Sequence, residues 1–188
     1  MNKECGDLWR GGRLLAAAHH NSPHFHRRGD DVALSLLVVH SIKLGEYGGG
    51  DIAKLFCGAL DCASRPEYET LKGLRVSAHF VIGRGGEVLQ FVSADDCAWH
   101  AGESQWRGRK QCNDFSIGVE LEGAEDDVFE ECQYSALVNL SRALMKRSGE
   151  MMIAGHRHIA PERKTDPGEG FDWRRLFDTI GWQYDGRI

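Results

Sequence analysis

The sequence predicts an α/β (α+β) fold, a mixed central β-sheet with helices packed against it, and three observations carry that prediction. Short apolar runs bounded by turn formers stand at 34–40 (LSLLVVH), 77–83, 87–93 and 116–122 (SIGVELE), and their lengths suit strands. Over 130–147, Tyr134, Leu137, Val138, Leu144 and Met145 recur at helical spacing, with Glu131, Asn139, Arg142 and Lys146 on the far face. A short apolar run at 151–154 and a helical pattern at 172–180 then close the chain. Strands, a long helix, a strand and a last helix within 188 residues describe a single domain, 1–188, built as a sheet with helices against it.

Taken in order, residues 1–33 are polar and read as an irregular N-terminal arm, with His19, His20, His24 and His26 gathered around Pro23. A solvated arm is a better reading of that cluster than a second metal site. The run at 34–40 is a buried strand that ends in His40, where a rigid backbone holds the ring at the strand's end. Residues 41–75 form a long connection with three glycines at 48–50, either an irregular excursion or a lid beside a site, and a helix over 51–60 capped by Asp51. The GRGG at 83–86 joins 77–83 to 87–93 as a hairpin. AWHAG at 98–102 sets Trp99 beside His100. Along 116–122, Glu120 and Glu122 fall on one face and Ile117, Val119 and Leu121 on the other. That face is either a site wall or solvent. The long helix stops at Ser148-Gly149, and Asp172 caps the final one.

Composition narrows the partners. With 27% charged and 41% hydrophobic residues this is an ordinary globular chain, and a net charge of −5 argues against nucleic acid. No apolar run approaches membrane-span length, so no membrane partner is expected. The LLAAA at 14–18 is too short for a signal-peptide core, and none of the six cysteines has CxxC spacing. Reduced thiols in the cytoplasm are the expectation, in a protein that works as a monomer.

The segment that concentrates chemistry is GHRHIAPERKTDPG at 155–168. Its turn formers predict a loop, and its His156, His158, Lys164 and Asp166 include good zinc ligands and a cation that stabilises developing negative charge. Any three of His40, His79, His100, His156 and Asp166 supply the open zinc site of a hydrolase. Such a site lowers the pKa of water to roughly 7 and needs a nearby carboxylate as general base, for which Glu120 is the candidate.

Several motifs then occur together and in order. LLVVH (36–40), RVSAHFVI (75–82), AWHAG (98–102), NDFSIGVELEG (113–123) and GH followed by IAPERKTDPG (159–168) resemble the AmpD family. Its members are cytosolic zinc amidases that act on anhydro-N-acetylmuramyl peptides in cell-wall recycling. The resemblance runs from about residue 22 to 180. It implies the peptidoglycan-recognition-protein/AmpD-like fold and one Zn2+ per chain, with His40, His156 and Asp166 as ligands. It also implies Glu120 as general base and Lys164 as the lysine that stabilises the transition state. Arg75 matches the family's arginine for a stem-peptide carboxylate, a role suited to a guanidinium fork. Trp99, His100 and Ser41 are the remaining substrate-contact candidates. Ser41 stands where many members have asparagine, the proline pair usual after it is replaced by LGEYGGG, and His158 replaces a more usual polar residue and is expected to face outward.

The reaction implied is hydrolysis of the amide between the muramic lactyl group and L-alanine of a small muropeptide, which indirectly limits β-lactamase induction. Two rivals are a peptidoglycan-fragment binding module without turnover and an amidase of intact wall. Retention of all three ligand positions weighs against the first, and the lack of an export signal against the second.

Overall fold

The computed structural model describes residues 8–47 and 50–182. Its centre is a six-stranded sheet of β1 (Ala18–His19), β2 (Leu36–Ile42), β3 (Phe80–Ile82), β4 (Val88–Gln90), β5 (Ser116–Glu122) and β6 (Met152–Gly155). The spatial order is β6-β2-β5-β3-β4-β1. All neighbours pair in parallel except β3 with β4. The mixed sheet is therefore as expected, with the antiparallel pair at the GRGG hairpin. There Gly83 N–H donates to Glu87 O at 3.0 Å, and Gly86 takes a φ of 84° that favours glycine.

Four α-helices lie among the described residues, α1 (Gly50–Phe56), α2 (Glu131–Ser148), α3 (His156–Ile159) and α4 (Trp173–Ile180), with two 3-10 helices at Pro66–Leu71 and Cys112–Phe115. α2 begins in a capping box between Glu130 and Gln133, and Gln133 Nε2 also donates to Glu122 O at 3.0 Å, which ties the helix to the end of β5. Asp172 caps α4 as expected, accepting from Arg175 N at 2.9 Å.

Strand alternation decides where the site lies. Leu37 and Val39 of β2 and Ile117, Val119 and Leu121 of β5 pack with Leu137, Leu140 and Leu144 of α2 and Leu176 and Phe177 of α4. Leu36 and Val38 face the other way, into a second cluster with Ala101, Phe115, Ala154 and Ile159. His40 shares the parity of Leu36 and Val38, so it stands on the face away from α2. Both faces are covered, and all seven residues of β5 are buried.

Three expectations change. Part of the N-terminal arm is regular. β1 joins the sheet edge, Trp9–Arg10 pairs with Arg13–Leu14, and Phe25–Arg27 pairs antiparallel with Asp96–Ala98. Two-residue strands carry no periodicity that a sequence reading can detect. The helix expected over 51–60 ends at Phe56, and Asp51 lies inside it, bonded to Lys54 and Tyr68 rather than capping it. The expected loop at 155–168 opens with the one-turn α3, because its prolines come only after that turn. Of the glycines in that excursion or lid, Gly48 and Gly49 lie outside the described residues.

Candidate active site

His40 is carried by the end of β2, a buried central strand, and His156 by the first residue after β6. Because β6 pairs with β2 in parallel, with Gly155 opposite Val39, the two histidines leave neighbouring strands side by side. Asp166 comes back to them on the 160–168 loop, which is held by Arg157 N–H donating to Asp166 O at 2.9 Å. Arg163 anchors the same loop through Nη2, to Ala101 O at 2.9 Å and Glu103 O at 2.7 Å.

The three side chains converge. His40 Nδ1 is 3.0 Å from His156 Nδ1 and 3.0 Å from Asp166 Oδ2, and His156 Nδ1 is 3.2 Å from Asp166 Oδ2. All three are buried, and their ligand atoms form a His-His-Asp group within 4.8 Å of one another. His156 Nε2 lies 3.1 Å from Ala101 O. A carbonyl only accepts, so the ring's proton is on Nε2 and its Nδ1 lone pair faces the other two ligand atoms. Two imidazole nitrogens and a carboxylate oxygen packed this closely could share one metal ion. An N, N, O donor set with a ring N–H held by a backbone carbonyl is one that a metal ion could use.

Electrostatics point the same way. Burial lowers His40 from its ordinary value to about 4, so the ring is neutral and able to ligate. Burial alone would raise Asp166, but the close approach of the His156 and His40 rings outweighs it and holds the carboxyl below the usual range. Glu120, opposite His40 in the β2–β5 register, is 8% exposed, and its Oε2 is buried with no hydrogen-bond partner. Burial and the charge of Asp166 push it well above the ordinary carboxylate, with Lys164 partly offsetting. The solvent-face reading of Glu120 and Glu122 therefore fails. Glu122 is 1% exposed and accepts from Arg84 N–H at 3.2 Å, a role in the fold. Half-buried Lys164 is close enough for its charge to act on both His40 and Glu120.

The other predicted site residues are distributed unevenly. Exposed Arg75 lies over the Trp99 ring at 5.1 Å, and the Trp99 indole N–H donates to His26 Nδ1 at 2.9 Å, with His24 stacked near it at 6.1 Å. His24 and His26, read as part of a solvated arm, thus hold Trp99 in place, and only a pairing across 73 residues would have revealed it. His26 also groups with Cys97 and Asp114, but both its ring nitrogens are engaged, by Trp99 and by Asp114 at 3.2 Å. His100 is buried, with Nδ1 3.0 Å from His40 Nε2 and Nε2 3.2 Å from Ser116 Oγ, so neither nitrogen is presented to a substrate. Ser41 follows His40 and has the opposite parity, in register with Leu121. His79 is fully buried between Gly118 N and Asp96 O. His158 turns inward rather than outward. Its Nδ1 accepts from Gly155 N–H at 2.8 Å and its ring packs edge-on against Trp173, outside the ligand cluster.

Comparison with known proteins gives the family and the fold. The N-acetylmuramoyl-L-alanine amidase family matches residues 30–169. The 1,6-anhydro-N-acetylmuramyl-L-alanine amidase AmpD of Escherichia coli K12 is 48% identical over 169 residues, 88% of this chain and 92% of that protein. A crystal structure of AmpD superposes with a TM-score of 0.88 at 47% identity, covering 92% of this chain and 99% of that one. The amidase AmiD of E. coli, solved with anhydro-N-acetylmuramic acid-L-Ala-D-γ-Glu-L-Lys, superposes with a TM-score of 0.60 at 28% identity over 84% of this chain and 62% of its own.

Proposed function

The chain belongs to the AmpD family of N-acetylmuramoyl-L-alanine amidases, and from that premise we propose that it hydrolyses the amide between the lactyl group of anhydro-N-acetylmuramic acid and L-alanine in cell-wall muropeptides. One zinc ion per chain would be held by His40, His156 and Asp166. The observation that carries this reading is the convergence of those three buried ligand atoms beside Glu120, whose Oε2 has no partner of its own. Substrate identity is supported by the similarity to the E. coli 1,6-anhydro-N-acetylmuramyl-L-alanine amidase AmpD and by the muropeptide bound to AmiD.

Zinc in this site supplies Lewis-acid polarisation and lowers the pKa of water toward about 7. The chain's own groups do the rest. Glu120 takes the proton of the attacking water, a task suited to a carboxylate whose burial raises its proton affinity. It then gives that proton to the nitrogen of L-alanine as the C–N bond breaks, and leaves the lactyl carbon as a carboxylate. Lys164 stabilises the charge that gathers on the carbonyl oxygen. Arg75, above Trp99 and exposed, receives the carboxylate of the peptide stem. His100 and Ser41 are given no substrate contact. The protein acts as a monomer in cytoplasmic peptidoglycan recycling, where its free thiols Cys57, Cys62, Cys97, Cys112 and Cys132 fit a reducing compartment.

The test is metal dependence of turnover. Protein stripped with a chelator is expected to lose cleavage of a defined anhydromuropeptide and to regain it with one equivalent of zinc. Full turnover by verified zinc-free protein would remove the reading.

A further inference from the structure

His40 meets its partners through Nδ1, the nitrogen that carries the proton or the lone pair depending on what faces Nε2. That choice is settled by a chain of contacts running away from the ligand cluster. Ser116 Oγ lies against Cys112 O, which only accepts, so the hydroxyl proton is committed there. The oxygen is then left to accept, and what faces it at 3.2 Å is His100 Nε2. His100 is buried against the rings of His40 and His79, and neither of its ring nitrogens meets a carboxylate, so it carries a single ring proton. A neutral ring with its proton on Nε2 has a bare Nδ1, and 3.0 Å from that Nδ1 is His40 Nε2. His40 therefore donates from Nε2, and its Nδ1 lone pair is turned toward His156 and Asp166. The rings meet nearly at right angles, 84° between planes, as an in-plane N–H···N bond allows.

The surroundings are shaped for this. His100 lies across β5 at Gly118, where a Cβ would overlap the imidazole ring. Its far side is closed by His79, whose ring is 5.7 Å away and is itself fixed by Gly118 N–H at 3.0 Å and Asp96 O at 3.1 Å. A glycine and two hydrogen-bonded histidines leave His100 one place and one orientation.

We propose that His100 and Ser116 form a relay, seated on Gly118, that locks His40 in the Nε2–H tautomer and so presents its Nδ1 to the metal. These are positioning residues that act through His40 and touch no substrate. The proposal rests on the zinc reading above, but tautomer state can be read without metal. Partners of this kind typically contribute about 10–100-fold to metal affinity.

Two measurements test it together. In metal-free wild-type protein labelled with 15N in histidine, long-range 1H–15N correlation spectra should show the proton of His40 on Nε2. A His40 proton on Nδ1 would overturn the relay, whatever the protein does with zinc. Zinc affinity, by competition with a chromophoric chelator, should fall about 10–100-fold in His100→Phe and about tenfold in Ser116→Ala. His100→Gln, whose amide both accepts and donates, should recover most of the loss. Wild-type affinity in folded Ser116→Ala and His100→Phe would sink the proposal while leaving the zinc reading intact. Wild-type protein that takes up no zinc would sink that reading instead, and the spectra would still decide the tautomer. If His100→Phe does not fold, Ser116→Ala and the wild-type spectra carry the test.

Discussion

Glu120 stands directly opposite His40 in the parallel register of β5 and β2. Partners in such a register point to the same face with backbones about 4.8 Å apart. The sheet itself therefore sets the proposed base beside the proposed ligand cluster, without help from a loop. Glu120→Gln should keep zinc and ligand binding, since neither needs the carboxylate, while kcat falls by about 10²–10⁴-fold. Glu122→Gln should instead loosen the contact at Arg84 and cost stability with little effect on kcat. The reverse pattern in kinetics of the two folded variants would mean that the wrong carboxylate of β5 has been assigned.

Removing a ligand should remove the metal. His40→Ala leaves His156 and Asp166, and two protein ligands rarely hold zinc tightly. Elemental analysis after dialysis should find almost none. Zinc at wild-type occupancy would point to another histidine, although His79, His100 and His158 all have a ring nitrogen already bonded.

Arg75 should discriminate among substrates. It is exposed and lies over the Trp99 ring, so the guanidinium edge is available to a carboxylate. Arg75→Ala should raise KM for a diaminopimelate-containing stem by the equivalent of about 1.5–3 kcal/mol, and much less for a stem lacking that carboxylate. An equal loss on both would make Arg75 a support for Trp99 alone.

Acid should destabilise the protein partly through its buried histidines. Burial lowers His79 to about 3 and His158 to about 4, against an unfolded value near 6.5. Between pH 6.5 and about 4 the unfolded chain therefore binds more protons than the folded one. Stability contributed by these rings is complete above 6.5 and is lost as pH falls. Glu120, raised in the folded state, works in the opposite direction, so a difference measurement is needed. The drop in urea midpoint between pH 7.5 and 4.5, taken on metal-free protein, should be smaller for His158→Gln than for the wild type. An equal or larger drop in the variant would contradict the assignment.

Much of this was legible in the sequence, and the exceptions have physical reasons. β2, β5, α2 and α4 announce themselves because each presents several turns or alternations to a core. His40, His156, Asp166, Glu120 and Lys164 could be named because their short motifs resemble a family's in order. What could not be read was pairing at a distance. β1 is two residues long, and its place beside β4 depends on Gln90, which bonds Leu14 N–H and Gly12 O across more than 70 residues. Alternation along β5 left its glutamate face open between site and solvent, because alternation reports solvent only when one side of a sheet is wet, and here both are covered. His100 was read as a substrate contact, since nothing in AWHAG tells of Gly118 beneath it or Ser116 beyond it.

The central claim is hydrolysis of one particular bond, and isotope-resolved mass spectrometry of a defined anhydromuropeptide tests it most directly. Zinc-loaded protein in 18O-labelled water should release a peptide with a free L-alanine amine and an anhydromuramic acid whose lactyl carboxylate carries one 18O. Unchanged substrate after prolonged incubation, or label in any carboxylate of the peptide instead, would contradict the account.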